Sequence, residues 1–284
     1  MRIWKKEKVI KIIKKYARAC VCQKKVVPLH PNLCVYMKKW IFSAYLIGIA
    51  CMSIACAKQV EDRPLQAGTV VQDTLNGVPC CVYLPDQYAA RTEVFPVLYL
   101  QHGMWGNEFD WTTQGRLVPI MDSLIRAGEI REMVVVMPDN CPSRPTSEEE
   151  RENASNGQWE ANFGSFMKEA ESKYRICTNP EQRAIAGLSM GGYHTMRVSY
   201  VLEGQFAYVG MFSPATFVHN APKDAKVFWL GIGTEDFLWD SFQEYRKWLE
   251  KEHVEYTYYE STDGHIWPNW QEYLKRFLPK LFNN

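Results

Sequence analysis

Ser189 stands in AIAGLSMGGYH, residues 184–194, with Gly187 and Gly191 two positions to either side. Gly-x-Ser-x-Gly carries chemistry where a strand turns so sharply into a helix that a Cβ at either glycine would strike the opposite limb. Such a turn lifts the hydroxyl out of the sheet. A serine hydroxyl becomes a useful nucleophile only when a base removes its proton and an acid orients that base. In the fold built on this elbow, acid and histidine follow the serine in chain order. FWLGIGTEDFLWD offers Glu235 and Asp236 after one apolar run, and YYESTDGHIWPNW offers His265 after the next. His265 is the base expected for Ser189, with either carboxylate as its partner. Upstream, LYLQHGMWGNEFDW follows a further apolar run. There His102 is expected to organise the loop, while the backbone N–H groups of Met104 and Met190 converge on one oxygen as an oxyanion hole. His194, one turn into the helix behind the serine, reads as packed or capping, and His219 and His253 read as surface residues.

These residues need a scaffold that brings separate loops together, and the patterning predicts one. GTVVQDTLNGVPCCVYLP reads as a hairpin about the turn dipeptide Asn76–Gly77. FPVLYLQ and MVVVMP are nearly continuous apolar runs, as expected of strands buried on both faces of a parallel sheet, and LVPIMDSLIRAGEI between them has helical spacing. Helix ANFGSFMKEAESKY, strand RAIAGLS, helix MGGYHTMRVSYVLE, strands FAYVGMFS and KVFWLGIG, helix WDSFQEYRKWLEKE, strand VEYTYYES and helix NWQEYLKRFLPKLF complete the alternation. The expected fold class is α/β: a mostly parallel central sheet with helices on both faces, in a single domain over residues 67–284. Residues 140–158 form the main irregular insertion, long enough to contact a substrate.

LYLQHGMWGNEFDW, VVVMPDN, AIAGLSMGG, GTEDF and DGHIWPNW occur in an order and spacing that resemble the serine esterase family of the α/β-hydrolase superfamily. That family includes feruloyl and acetylxylan esterases, enterochelin esterases and mycolyltransferases, and is related to esterase D. The resemblance covers roughly residues 68–282. It implies the α/β-hydrolase fold, a triad of Ser189, Asp236 and His265, and oxyanion donors at Met104 and Met190; it favours Asp236 over Glu235. It implies no metal or organic cofactor, and a serine carboxylic-ester hydrolase that removes feruloyl or acetyl groups from plant polysaccharide such as xylan. Siderophore-ester hydrolysis or acyl transfer is the alternative within the class, and a catalytically idle glycan-binding surface lipoprotein the alternative outside it. Trp105 and Trp267 are expected pocket walls, suited to an aromatic acyl group or sugar rings. Trp111 and Trp270 read as core packing.

The rest of the chain bounds where such an enzyme would act. Residues 1–40 carry 12 of the 33 Lys and Arg and one of the 32 acids, which leaves 21 basic against 31 acidic side chains in the remaining 244 residues. An acidic body argues against nucleic-acid binding. Met37, Lys38 and Lys39 precede an uncharged stretch from Trp40 to Ala57, the layout of a secretory signal. SIAC resembles the lipobox of bacterial lipoproteins, with Cys56 as the lipidated residue. The expected organisation is therefore a basic leader over 1–36 from an upstream mis-start, a signal peptide over 37–55, a tether over 56–66 and then the enzyme, exported and held to a bacterial envelope membrane by its N-terminal lipid, with plain secretion the alternative. Of nine cysteines only Cys80, Cys81, Cys141 and Cys177 remain after Cys56, with Cys141–Cys177 a possible pair.

Overall fold

The computed structural model describes residues 67–140 and 158–282. The chain enters through the expected hairpin, β1 (Thr69–Leu75) and β2 (Val78–Leu84), paired antiparallel with Leu75 opposite Val78. Asn76 and Gly77 both have positive φ, 50° and 77°. A two-residue turn of this hand matches the twist of the strands it joins, which is why an Asn-Gly pair favours it. Cys80 and Cys81 on β2 point to opposite sides of the sheet, each into a different core layer, as alternation along a strand requires.

The apolar runs form the centre of an eight-stranded sheet. β3 (Val97–Gln101), β4 (Val134–Pro138), β5 (Arg183–Leu188) and β6 (Tyr208–Phe212) are buried at every position, followed by β7 (Val227–Gly233) and β8 (Thr257–Ser261). The strand order is β1-β2-β4-β3-β5-β6-β7-β8. β2 runs antiparallel to β4, and every pair from β4 to β8 is parallel. One face is covered by α3 (Gln158–Lys173), α4 (Met190–Val201) and α5 (Trp239–Lys251); the other by α2 (Leu117–Arg126) and α6 (Trp267–Phe277). Because both faces are packed against helices, neighbouring strand residues enter opposite cores: Val97 and Tyr99 one, Leu98 and Leu100 the other. The short helix α1 (Asp110–Thr113) and the 3-10 turns Tyr88–Ala90, Pro180–Gln182 and Leu278–Lys280 were not anticipated, since three or four residues leave no periodicity to read.

Several sequence expectations fall outside the described residues: the leader, signal and tether up to residue 66, the lipidation position Cys56, nearly all of the 140–158 insertion, and Cys141 of the possible pair with Cys177. Among the described residues no helix is long and apolar enough to cross a membrane.

Parallel strands deliver their following loops to one edge, and the loops after β3, β5, β7 and β8 all gather there. The tightest junction is between the elbow and the loop after β3. A Cβ on Gly191 would lie 2.3 Å from the carbonyl oxygen of His102, and one on Gly187 would lie 2.4 Å from that of Gly191. Backbone cannot yield as a flexible side chain does, so Gly191→Ala should destabilise the fold by about 3 kcal/mol. Urea unfolding of the variant will read this as a lower midpoint; an unchanged midpoint would contradict the packing described.

Candidate active site

At the end of β5 the chain reverses into α4 through Ser189, whose φ of 53° and ψ of −118° lie far from both helix and strand. A non-glycine residue held there is strained, and surrounding bonds must hold it. Ser189 N–H donates to the Phe212 carbonyl at the end of β6 (2.9 Å), and its own carbonyl accepts from Tyr193 and Ala215 (both 3.1 Å). The strained residue is thus fixed by the neighbouring strand, the following helix and the loop after β6.

His265 and Asp236 come from the loops after β8 and β7. His265 Nδ1 lies 2.8 Å from Oδ2 and 3.0 Å from Oδ1 of Asp236. A carboxylate only accepts, so Nδ1 carries the proton and Nε2 is left with a lone pair for a hydroxyl. Asp236 is 3% exposed and Oδ1 also accepts from the Leu238 N–H (2.9 Å), whereas Glu235 beside it is exposed and makes no such contact with the histidine. Of the two candidate acids, Asp236 is the one that meets His265. The two loops are closely joined: Thr234 N–H donates to Ser261 O (2.9 Å) and Thr234 Oγ1 to Thr262 O (3.0 Å), while Asn269 Nδ2 donates to Gly264 O (2.9 Å) and braces the β8 loop against the helix that follows it. Phe237 and Trp270 flank the imidazole, with ring centroids 4.5 and 4.9 Å away.

Ser189 and His265 open into the same cavity, about 500 Å³ in volume, with Met104, Met190, Trp105 and Trp267 also on its wall. Met190 is the first residue of α4, so its N–H has no acceptor within the helix. The Met104 loop is ordered by His102, which is buried: Nδ1 donates to Gly103 O (2.7 Å), Nε2 accepts from the Asn140 N–H (3.1 Å), and Asn140 Nδ2 donates to His102 O (2.9 Å). Trp105 is 57% exposed at the rim, while Trp267 packs edge-on against both Trp111 and Trp270. Trp111 is buried and donates to Gln101 O (3.0 Å). Trp270 is buried but still reaches the cavity wall.

Among the cavity residues not singled out in the sequence are Asp110, Gln114, Phe217 and Phe237. Phe217 and Phe237 are 68% and 75% exposed. A large apolar residue just beyond a strand end, in loops that must lie at the common edge, was the available signal for both. Behind the elbow lies a polar network equally unforeseen. Trp159 Nε1 donates to Gln101 Oε1 (2.6 Å), and Gln101 Nε2 donates to Thr195 Oγ1 (3.0 Å). Glu160 and His194, both buried, meet at 2.8 Å. These contacts tie the first turn of α3 to the helix that follows Ser189.

Burial pushes the Cys80 thiol up to about 12 and the Cys81 thiol up to about 11, so neither competes as a thiolate nucleophile. Among the described residues no group of three or more His, Cys, Asp or Glu side chains is arranged to hold a metal ion.

A serine elbow between a central parallel strand and a helix, followed in the chain by an aspartate and a histidine in hydrogen-bonding contact beyond the ends of β7 and β8, defines a protein of the α/β-hydrolase fold. Residues 76–267 match the family model described as "Putative esterase", and the chain belongs to that family. An endo-1,4-beta-xylanase/feruloyl esterase of Xylanibacter ruminicola is 31% identical over 168 residues, which are 55% of this chain and 22% of that protein. An acetyl esterase of Caldicellulosiruptor saccharolyticus is 24% identical over 232 residues, 64% of this chain and 82% of that one. A ferulic acid esterase from the anaerobic fungus Anaeromyces mucronatus, solved in complex with ferulic acid, superposes with a TM-score of 0.62 at 21% identity over 78% of this chain and 93% of its own. The chain spans about a fifth of the length of the Xylanibacter relative.

The buried Glu160 gives the site a test by pH. Burial alone would raise its carboxyl, but the hydrogen bond and charge of His194 outweigh that and hold it below the usual carboxylate range. A depressed folded value contributes stability that is present above the unfolded value, about 4.3, and is lost as pH falls through the folded one. Glu160→Gln should therefore flatten the acid limb of the stability curve and cost about 1–3 kcal/mol near neutrality. Thermal melts from pH 3 to pH 7, roughly spanning that window, will show it; parallel curves for both proteins would refute the pairing.

Proposed function

We propose that this protein is a serine carboxylic-ester hydrolase working through an acyl-enzyme, with Ser189 as nucleophile, His265 as general base and acid, and Asp236 as the group that orients the imidazole. The observation that carries the reading is the His265 to Asp236 contact at 2.8 Å on the wall of the cavity into which Ser189 opens. In the first half-reaction Ser189 Oγ attacks the ester carbonyl while His265 Nε2 takes the hydroxyl proton, and Asp236 stabilises the resulting imidazolium. The N–H groups of Met104 and Met190 receive the oxyanion. The C–O bond to the alcohol then breaks, and His265 returns the proton to the departing oxygen. Water attacks the acyl-enzyme in the second half, giving its proton to His265 and releasing the free acid with Ser189 reprotonated.

The proposed substrates are feruloyl or acetyl esters on a plant polysaccharide such as xylan. Support comes from the names of the relatives and from the cavity, whose volume of about 500 Å³ lies within the roughly 300–1,000 Å³ range typical of small-molecule sites. Trp105, Trp267, Phe217 and Phe237 on its wall favour an aromatic acyl group over acetyl, because a planar ring gains contact from aromatic faces and edges that a methyl group cannot. Export, with a lipid on Cys56 tethering the enzyme to a membrane, is part of the same proposal and rests on the residue pattern from Met37 to Cys56.

Purified protein assayed on methyl ferulate and on acetylated xylan tests the reading. Ser189→Ala should remove turnover while leaving the melting temperature within a degree or two. Asp236→Asn should lower kcat by about 10⁴ through the wrong imidazole tautomer, and Glu235→Gln should leave kcat within about twofold, as for an exposed group away from the chemistry. Retention of hydrolysis by Ser189→Ala would sink the mechanism. Trp105→Ala should raise KM for methyl ferulate and leave that for an aryl acetate unchanged; equal effects on both would remove the aromatic-acyl preference.

A further inference from the structure

A second cavity, about 250 Å³, lies between α2 and α6, and its wall includes Arg116, Ile120, Ser123, Gln271 and Lys275. It adjoins the catalytic cavity. Gln271 Nε2 donates to the Gln114 carbonyl at 2.8 Å, so this pair forms the partition, and Gln114 itself lines the catalytic side. Trp267 on the catalytic wall and Lys275 in the second cavity are eight residues apart on α6. At helical rise that is about 12 Å, a distance a chain of linked sugars can bridge while its ester group sits at Ser189.

The cations of the second cavity differ from their neighbours on the same two helices. On α2 and α6 the cations Arg126 and Arg276 are each neutralised by an acid one turn away, Asp122 and Glu272. The side chains of Arg116 and Lys275, in contrast, make no hydrogen bond or ion pair among the described residues. Two unneutralised cations on one small concavity, in a body where acids outnumber bases 31 to 21 after residue 40, make a local anion site. Screening keeps the distant acids from cancelling it, since their effect fades over about 8 Å at physiological salt. A guanidinium matches the two oxygens of a carboxylate, an ammonium adds a point charge, and Ser123 and Gln271 add neutral polar groups. Pro119, Ile120 and Leu124 supply an apolar side against which the C–H face of a sugar ring can lie.

We propose that this cavity binds the carboxylate of a uronic-acid sugar carried by the same polymer whose ester enters the catalytic cavity, an inference that rests on the esterase reading above. The enzyme would then select esters near acidic branches of its polysaccharide.

The test is a titration of the full chain carrying Ser189→Ala, followed by calorimetry, with a glucuronic-acid-substituted xylo-oligosaccharide and with the unsubstituted xylo-oligosaccharide of equal length. The acidic sugar should bind about three- to tenfold more tightly at low salt. That advantage should disappear at high salt, and also in the protein that additionally carries Arg116→Gln and Lys275→Gln, while affinity for the neutral sugar stays unchanged. Equal affinity for the two sugars, no binding of either, or an advantage that survives the double substitution would each overturn the proposal. Hydrolysis of methyl ferulate by the wild type and by Arg116→Gln/Lys275→Gln is measured alongside and should be equal in both. Intact ferulate hydrolysis with no acidic preference defeats the second cavity alone, whereas failure to hydrolyse any ester defeats the esterase reading while the titration still decides the cavity.

Discussion

The close approach of the elbow to the loop after β3 is the constraint on which the site depends. Gly191 packs so tightly against the carbonyl of His102 that no side-chain atom fits between them. That contact sets the distance between Ser189 and the segment carrying Met104, so nucleophile and proposed oxyanion donors are positioned by one backbone junction. Gln101 extends it: its side chain joins Trp159 to Thr195, and its carbonyl accepts from Trp111. A buried amide with all its main hydrogen bonds made is stiff, because leaving any of them open costs more than making it contributes.

A similar logic holds the acid and the histidine. β7 and β8 are neighbours, and the loops leaving them are joined through Thr234, Ser261 and Thr262 before either functional side chain is reached. A Cβ on Gly233 would sit 1.6 Å from the Asp263 carbonyl, so only glycine lets the two loops come this close. Burial of Asp236 removes competing water from the carboxylate, and the Leu238 N–H compensates for part of that loss. The hydrogen-bonded pair is thus assembled by the sheet, with few degrees of freedom left to the side chains.

Around this rigid floor the rim is apolar and exposed. Met104, Trp105, Phe217 and Phe237 are large hydrophobic residues left open to solvent, and all four line the catalytic cavity. Such surface is costly in water and is retained where something apolar binds. Adjacent to it, across the Gln114 to Gln271 partition, the lining changes from aromatic to cationic. The two cavities therefore offer different chemistry, ring faces beside Ser189 and positive charge farther along α6.

By itself the sequence determined the elements that local rules control. Asn76–Gly77 forces the hairpin because both residues tolerate positive φ, and the unbroken apolar runs of β3 to β6 require helices on both faces of the sheet. The Gly-x-Ser-x-Gly spacing located the elbow, and chain order located the acid and histidine loops, since these are properties of consecutive residues. Between Glu235 and Asp236 the family resemblance favoured the aspartate, but the physical reason is tertiary: adjacent residues point in different directions, and only the packing of the β7 loop against the β8 loop buries one of them beside His265. Tertiary structure alone brought together Gln101, Trp159 and Thr195, Glu160 and His194, and Arg116 and Lys275. These partners lie 34 to 159 positions apart in their respective pairs. No local periodicity links residues so distant; their meeting follows from which strands are neighbours and which helices share a face.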